Sequence, residues 1–295
     1  MFEVMSSPAQ VARGARLPAL PAPLAMIAGS LSVQFGGAVA VHAFTRSTPL
    51  GVTFLRSVFA AAILFAAVRS LPRTRAAWRA AIPFGIVMVC MNATFYEAIS
   101  RLPLGVAVTI EFWGPIAVAV MASHRRSDLV WVALAGAGVA LLGEGFAGAQ
   151  PVGLVLIVAA GGFWALYIVL GRRLATTTVG AVGLAPACAV SAALLAVPGL
   201  ASAGGTLLDA RVIALCALLG LLGTAIPYAI ELYAQRRVPA RTFSVLLSMH
   251  PAVAALVGAA VLSQGLGARD VVAITLVVAA SAGALASAAR VSAAQ

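Results

Sequence analysis

The chain has 295 residues, 62% of them hydrophobic and only 9% charged, and its mean hydropathy of +1.06 excludes a soluble globular domain. The formal charge of +11 does not imply a nucleic-acid partner: all nineteen basic residues are Arg, and all but one lie in the gaps between apolar runs or near their ends, where they set membrane topology. Cys90, Cys188 and Cys216 fall far apart inside apolar runs, without CxxC or Cys/His spacing, so neither a disulfide nor a metal is expected, and no motif asks for a cofactor.

In chain order, residues 1–23 are polar and Pro/Ala-rich and read as a disordered cytoplasmic tail. No A-x-A-like cleavage site closes a short hydrophobic segment, and Leu24 to Phe44 is long enough to span, so a retained first helix is expected. A crossing of the roughly 30 Å hydrocarbon core needs about 20 apolar residues. Ten stretches qualify: 24–44, 51–69, 80–100, 103–123, 129–146, 152–170, 179–201, 212–234, 241–262 and 270–288, with 289–295 as a short tail. The expected fold is an all-α integral membrane protein of ten transmembrane helices.

With ten spans both termini share a side. One side receives fourteen Arg, among them Arg73, Arg75, Arg125, Arg126, Arg236 and Arg237; the other receives Arg46, Arg101, Arg211 and Arg269; Arg56 lies inside span 2. The positive-inside rule puts the Arg-rich side in the cytoplasm, which for a bacterial chain means the inner membrane.

An internal repeat emerges from the prolines. Pro103 is followed twelve residues later by Pro115, and Pro239 twelve residues later by Pro251, at an offset of 136 residues. The chain reads as two five-helix halves, 24–146 and 152–288. An odd helix number per half inverts the second half, the architecture with which many secondary transporters alternate access about a midplane site.

The residues that carry chemistry cluster on this repeat. Glu111 stands near the middle of span 4, where a carboxylate costs roughly 2.5–3.5 kcal/mol on insertion scales and marks a functional position by default. Pro115 and Pro251 leave the carbonyls of Glu111 and Leu247 without a helical donor, and such carbonyls favour a hydrated cavity. Arg56 admits three readings: snorkelling outward, a structural pair with Glu111, or a substrate site. His250 precedes Pro251, and its ordinary pKa near neutrality suits proton exchange, although a lone His also serves as an interhelical hydrogen-bonder. Glu97 is four residues before Arg101, which predicts an interfacial salt bridge. Glu231, with Pro227 and Tyr228, reads either as interfacial or as cavity wall. Asn92, Tyr96, Trp113, Trp164 and Tyr167 offer polar and aromatic surface, with Trp113 foremost because it adjoins Glu111. Small-residue seams at Gly136-Ala137-Gly138 and residues 279–284 suit close helix packing and would admit a homodimer.

The segments Pro103 to Val108, Glu111-Phe112-Trp113-Gly114-Pro115, Phe163 to Ile168, Ile226-Pro227-Tyr228 with Glu231, and Arg241-Thr242-Phe243 leading to Ser248-Met249-His250-Pro251 resemble the drug/metabolite transporter superfamily with its EamA repeats, most closely the threonine/homoserine exporter group. The resemblance covers the chain from the first span onward. It implies two inverted halves, proton-linked export of small amino acids from the cytoplasm, and functional roles for Glu111, Glu231 and Arg56. Two positions depart from the group's pattern: His250 stands where an acid is expected, and Glu97 where none is.

The combined expectation is a secondary transporter, not an enzyme, since the spans hold no Ser/Lys, Asp/Asp or HExxH set. Its partners are a small-molecule substrate, protons and the lipid bilayer. The expected substrate and proton site comprises Glu111, Arg56, His250, Glu231, Trp113, Tyr228, Asn92 and Tyr96, with kinks at Pro115, Pro251 and Pro227. Two alternatives stay open: export of purines, drugs or other neutral metabolites, and a non-transporting membrane scaffold or sensor subunit.

Overall fold

The computed structural model describes residues 22–123, 129–144, 151–178, 180–235 and 247–293. Its helices are α1 (Ala22–Phe44), α2 (Pro49–Val68), α3 (Arg75–Ile99), α4 (Leu104–Glu111), α5 (Trp113–Ser123), α6 (Leu129–Glu144), α7 (Pro151–Thr177), α8 (Leu184–Ala203), α9 (Ala210–Gly220), α10 (Ile226–Gln235), α11 (His250–Leu262) and α12 (Ala268–Ala293). The pairs α4/α5 and α9/α10 are interrupted spans, so the described residues form ten helical segments. Among the described residues six are long and apolar enough to cross a bilayer by themselves, and the segments 104–118, 129–141 and 250–262 are shorter apolar helices. Arg13, Arg16, Arg125, Arg126, Arg236, Arg237, Arg241, Thr242 and Phe243, with the expected tail through residue 21, lie outside the described residues.

Helix starts follow local chemistry. Thr48 and Thr74 accept hydrogen bonds from the N–H of Gly51 and Ala77, both at 3.2 Å, and Asp209 accepts from Arg211 N–H at 2.7 Å, meeting donors that a first helical turn cannot satisfy. The Thr74 cap is why α3 begins at Arg75 rather than at residue 80. At the other end, Arg69 and Ser263 take left-handed conformations, with φ of 49° and 54°, and stop α2 and α11.

The packing respects the 136-residue offset. α2 lies along α8, α6 along α12, and span 4 meets span 9 through α4 and α11. α3 packs on α7 and α8, while α9 and α10, its counterparts, pack on α1 and α9 also on α2. Large side chains such as Val155 (69% exposed), Val197 (78%) and Leu256 (66%) point outward. A surface of this kind matches lipid and would be a liability in water.

With lipid outside, helices gain little from hydrophobicity and depend on close contact between small residues. A Cβ on Gly105 would lie 2.6 Å from Ala255 Cα, and one on Gly138 2.8 Å from the Ala273 carbonyl. Gly138 therefore uses the predicted seam inside the chain, against α12, while Gly136 meets nothing within 4 Å. Gly105→Val is expected to part α4 from α11 and to destabilise by about 1–3 kcal/mol, as overpacking does. Thermal unfolding in detergent would show this as a lowered midpoint; Gly136→Val should leave it in place.

Candidate substrate cavity

A cavity of about 130 Å³ lies between α1, α2, α3, α4, α7, α10 and α11. Its walls come from the first half of α1 (Met26 to Gln34) and from α10 as far as Glu231. The opposite end of α1 is filled: Ala38, Ala40 and Ala43 pack with Val52, Ile99 and Leu104 in one apolar cluster. The cavity is thus closed toward the end where α1 finishes and extends toward the end where it starts.

The break between α9 and α10 positions its cation. Residues Leu221–Ala225 form a π-helical turn in which Ile226 N–H donates to the Leu221 carbonyl. Pro227 follows, with no N–H to offer Leu222 or Gly223. Other helices supply the missing donors: Ser32 Oγ of α1 donates to the Leu222 carbonyl at 2.8 Å, and Arg56 Nη1 of α2 to the Gly223 carbonyl at 3.4 Å. Arg56 is 2% exposed, so it does not snorkel to an interface. Its guanidinium lies over the Tyr96 ring, 5.2 Å from the centroid, and Nη1 also donates to Tyr96 Oη at 3.4 Å. Its Nε has no hydrogen-bond partner. No ion pair joins it to Glu111 or to any other carboxylate among the described residues.

Glu111 closes α4 and is 7% exposed. Its side chain lines the cavity and makes no hydrogen bond or ion pair among the described residues. The helix stops there for one residue: Phe112 adopts φ −65°, ψ −10°, and α5 resumes at Trp113. Pro115 accounts for the stop, since it gives the Glu111 carbonyl no N–H. That carbonyl lies against Gly161 of α7, where a Cβ would come within 2.7 Å of it. Gly161 is thus required by the kink of a different helix.

Trp113 does not line the cavity. Two residues on from Glu111, it is turned by about 200° around a helix of 3.6 residues per turn, so the two side chains cannot share a wall. Its indole stands on Gly161 and Gly162, donates from Nε1 to the Val158 carbonyl at 3.0 Å, and is 37% exposed. Trp164 of α7 takes the wall position, edge-on to Phe112 at 5.0 Å between centroids and 6.3 Å from the His250 ring.

His250 lines the cavity from the first turn of α11, and Pro251 sits beside it within that first turn. Pro251 therefore stands in the first turn of α11, a position that suits a residue without an N–H. The turn before it, at Ser248 and Met249, is offset by 136 residues from the Phe112 turn.

Tyr96, Asn92, Tyr228 and Glu231 all line the same space. Asn92 Nδ2 donates to the Met88 carbonyl at 2.7 Å, and Tyr228 packs at 5.8 Å from Tyr167, which stacks in turn on Phe84 at 4.6 Å. Glu97 stays apart: it forms the i,i+4 salt bridge with Arg101 at 2.6 Å that its spacing predicts and is absent from the cavity walls. Two liners, Ser30 and Gln34 of α1, are not among the residues expected from the sequence. Their signal is nonetheless present there, as two polar residues four apart in a mostly apolar span.

Two comparisons with sequences and one with structures bear on this arrangement. The profile of the EamA-like transporter family matches residues 20–147 and again residues 151–286. The chain belongs to the EamA-like transporter family. It is a multi-pass membrane protein, and its similar relatives are transporters rather than enzymes. It is 36% identical over 277 residues to the threonine/homoserine exporter RhtA of Salmonella typhimurium strain LT2, covering 90% of each chain. To the threonine/homoserine exporter RhtA of Escherichia coli strain K12 it is 36% identical over 271 residues, covering 88% of this chain and 89% of that one. A crystal structure at 20% identity shares the fold of this chain, with a TM-score of 0.63 over 90% of this chain and 96% of that chain.

Proposed function

We propose that the chain exports small zwitterionic amino acids of the threonine and homoserine type from the cytoplasm, and that Arg56 receives the substrate carboxylate. One observation carries this reading: a buried guanidinium and a buried carboxylate face the same small cavity, and neither is neutralised by the other. An uncompensated buried charge is costly, so a purely structural pair would have closed the gap. A ligand with one carboxylate and one ammonium satisfies both. In this reading Glu111 either holds the ammonium or carries the exchanged proton, and His250 and Glu231 are the remaining ionisable walls.

Size favours the same class. A cavity of about 130 Å³ is comparable with the ~150 Å³ that accepts a benzene-sized guest and falls short of the roughly 300–1,000 Å³ of sites for drug-sized ligands. A scaffold or sensor subunit would be expected to have a dry, packed centre.

The two family matches, the five spans in each and the packing at the 136-residue offset support inverted halves that rock about this cavity. The Arg distribution supports an inner-membrane topology with both termini in the cytoplasm, so that the cavity, extending from the start of α1, faces the cytoplasm in this state. Proton antiport is the coupling we propose. Proteoliposomes loaded with labelled threonine, homoserine or adenine test the assignment: efflux of the two amino acids above protein-free vesicles is expected, and efflux of adenine alone would overturn it.

A further inference from the structure

Two polar side chains of α1 have no hydrogen-bond partner among the described residues. Ser30 and Gln34 are one helical turn apart, so they share a face, and both line the cavity while being only 4% and 3% exposed. Hydroxyls in apolar helices commonly bond back to the carbonyl four residues earlier, as Thr53 does to Pro49, Ser57 to Thr53 and Thr109 to Gly105. Ser30 Oγ does not, and it has no other partner. Gln34 makes no hydrogen bond among the described residues. Thr224 and Ser281 also carry hydroxyls without partners, but neither lines the cavity. Unmade hydrogen bonds at such burial are destabilising, and both residues line the same space as the charged ends of the site.

We propose that Ser30 and Gln34 form a specificity subsite that reads the side-chain hydroxyl of a small hydroxy amino acid. The proposal rests on the export reading above and adds what distinguishes one small zwitterion from another. A hydroxyl donates once and accepts as well, and a serine hydroxyl with a carboxamide offers the complementary donors and acceptors. Valine, which has the shape of threonine with a methyl in place of the hydroxyl, would leave both side chains unsatisfied. A site built to bond a hydroxyl discriminates against the analogue that lacks it for this reason.

The test is the ratio of threonine to valine efflux from proteoliposomes containing the unmutated protein, Gln34→Leu, Ser30→Ala, or both changes together. A ratio does not depend on how much protein is folded and inserted, and each change places an apolar residue in an apolar helix. The unmutated protein is expected to prefer threonine, and the double variant to lose about three- to tenfold of that preference, the equivalent of one ordinary hydrogen bond. An unchanged ratio in a double variant that still exports threonine overturns the subsite and leaves the export reading standing. If the unmutated protein moves neither amino acid, the export reading falls and the subsite with it.

Discussion

Arg56→Gln is expected to slow threonine efflux from proteoliposomes by about 10- to 100-fold. Hydrogen bonds to charged partners contribute about 1.5–3 kcal/mol, and each 1.4 kcal/mol is a factor of about ten. The loss falls on the substrate and not on the fold, because no carboxylate among the described residues is paired with Arg56 and left stranded by its removal. Its unfolding midpoint should therefore stay close to that of the unmutated protein. Arg56→Lys is expected to recover part of the rate: it restores the charge but lacks the planar fork that meets a carboxylate with two bonds. A variant that exports at the full rate would remove Arg56 from the site.

The second large effect is on coupling. Glu111→Gln is expected to abolish the acceleration of threonine efflux by an inwardly directed proton gradient. The carboxylate lines the cavity without an ion-pair partner among the described residues, free to take up and release a proton. Exchange of labelled for unlabelled threonine without a gradient separates its two roles. If Glu111 carries the proton, exchange persists in the variant; if it holds the ammonium, exchange is lost as well. Gradient-driven efflux at the unmutated rate would assign Glu111 to neither.

Much of this site is legible in the sequence because membrane interiors penalise polar groups so heavily. Glu111, Arg56 and His250 stand out against Ala and Val, and each does line the cavity. Angle and partner are what a sequence leaves undecided. Trp113 adjoins Glu111 along the chain but points to the far side of the helix, and Trp164, from another span, fills the place expected of it. The Arg56 partner is equally hidden. A guanidinium invites a search for a carboxylate, whereas the acceptor here is a backbone carbonyl at residue 223, opened by a proline four residues further on and a π turn that no hydropathy pattern announces.

The prolines illustrate the same boundary. Their 136-residue offset predicts equivalent breaks in spans 4 and 9, and turns do occur at Phe112 and at Ser248 and Met249. Where the released carbonyls come to rest is not readable from that offset. Pro115 follows a one-residue interruption of a continuing span, and its released carbonyl rests on Gly161; Pro251 stands at the start of α11, beside the ring of His250. Ser30 and Gln34 escape notice in the sequence for a different reason: serine and glutamine are mild enough in an apolar helix to pass as packing, and only the structure shows that they have no hydrogen-bond partner among the described residues.

Binding of threonine and its two half-analogues tests the central claim most directly. Calorimetry on the detergent-solubilised protein would compare threonine with 1-amino-2-propanol, which lacks the carboxylate, and 3-hydroxybutyrate, which lacks the ammonium. If Arg56 and Glu111 hold the two ends of a zwitterion, threonine binds and each half-analogue binds at least about tenfold more weakly, as loss of a charged contact requires. Equal affinity of 1-amino-2-propanol would contradict the account, and equal affinity of 3-hydroxybutyrate would leave Glu111 with the proton alone.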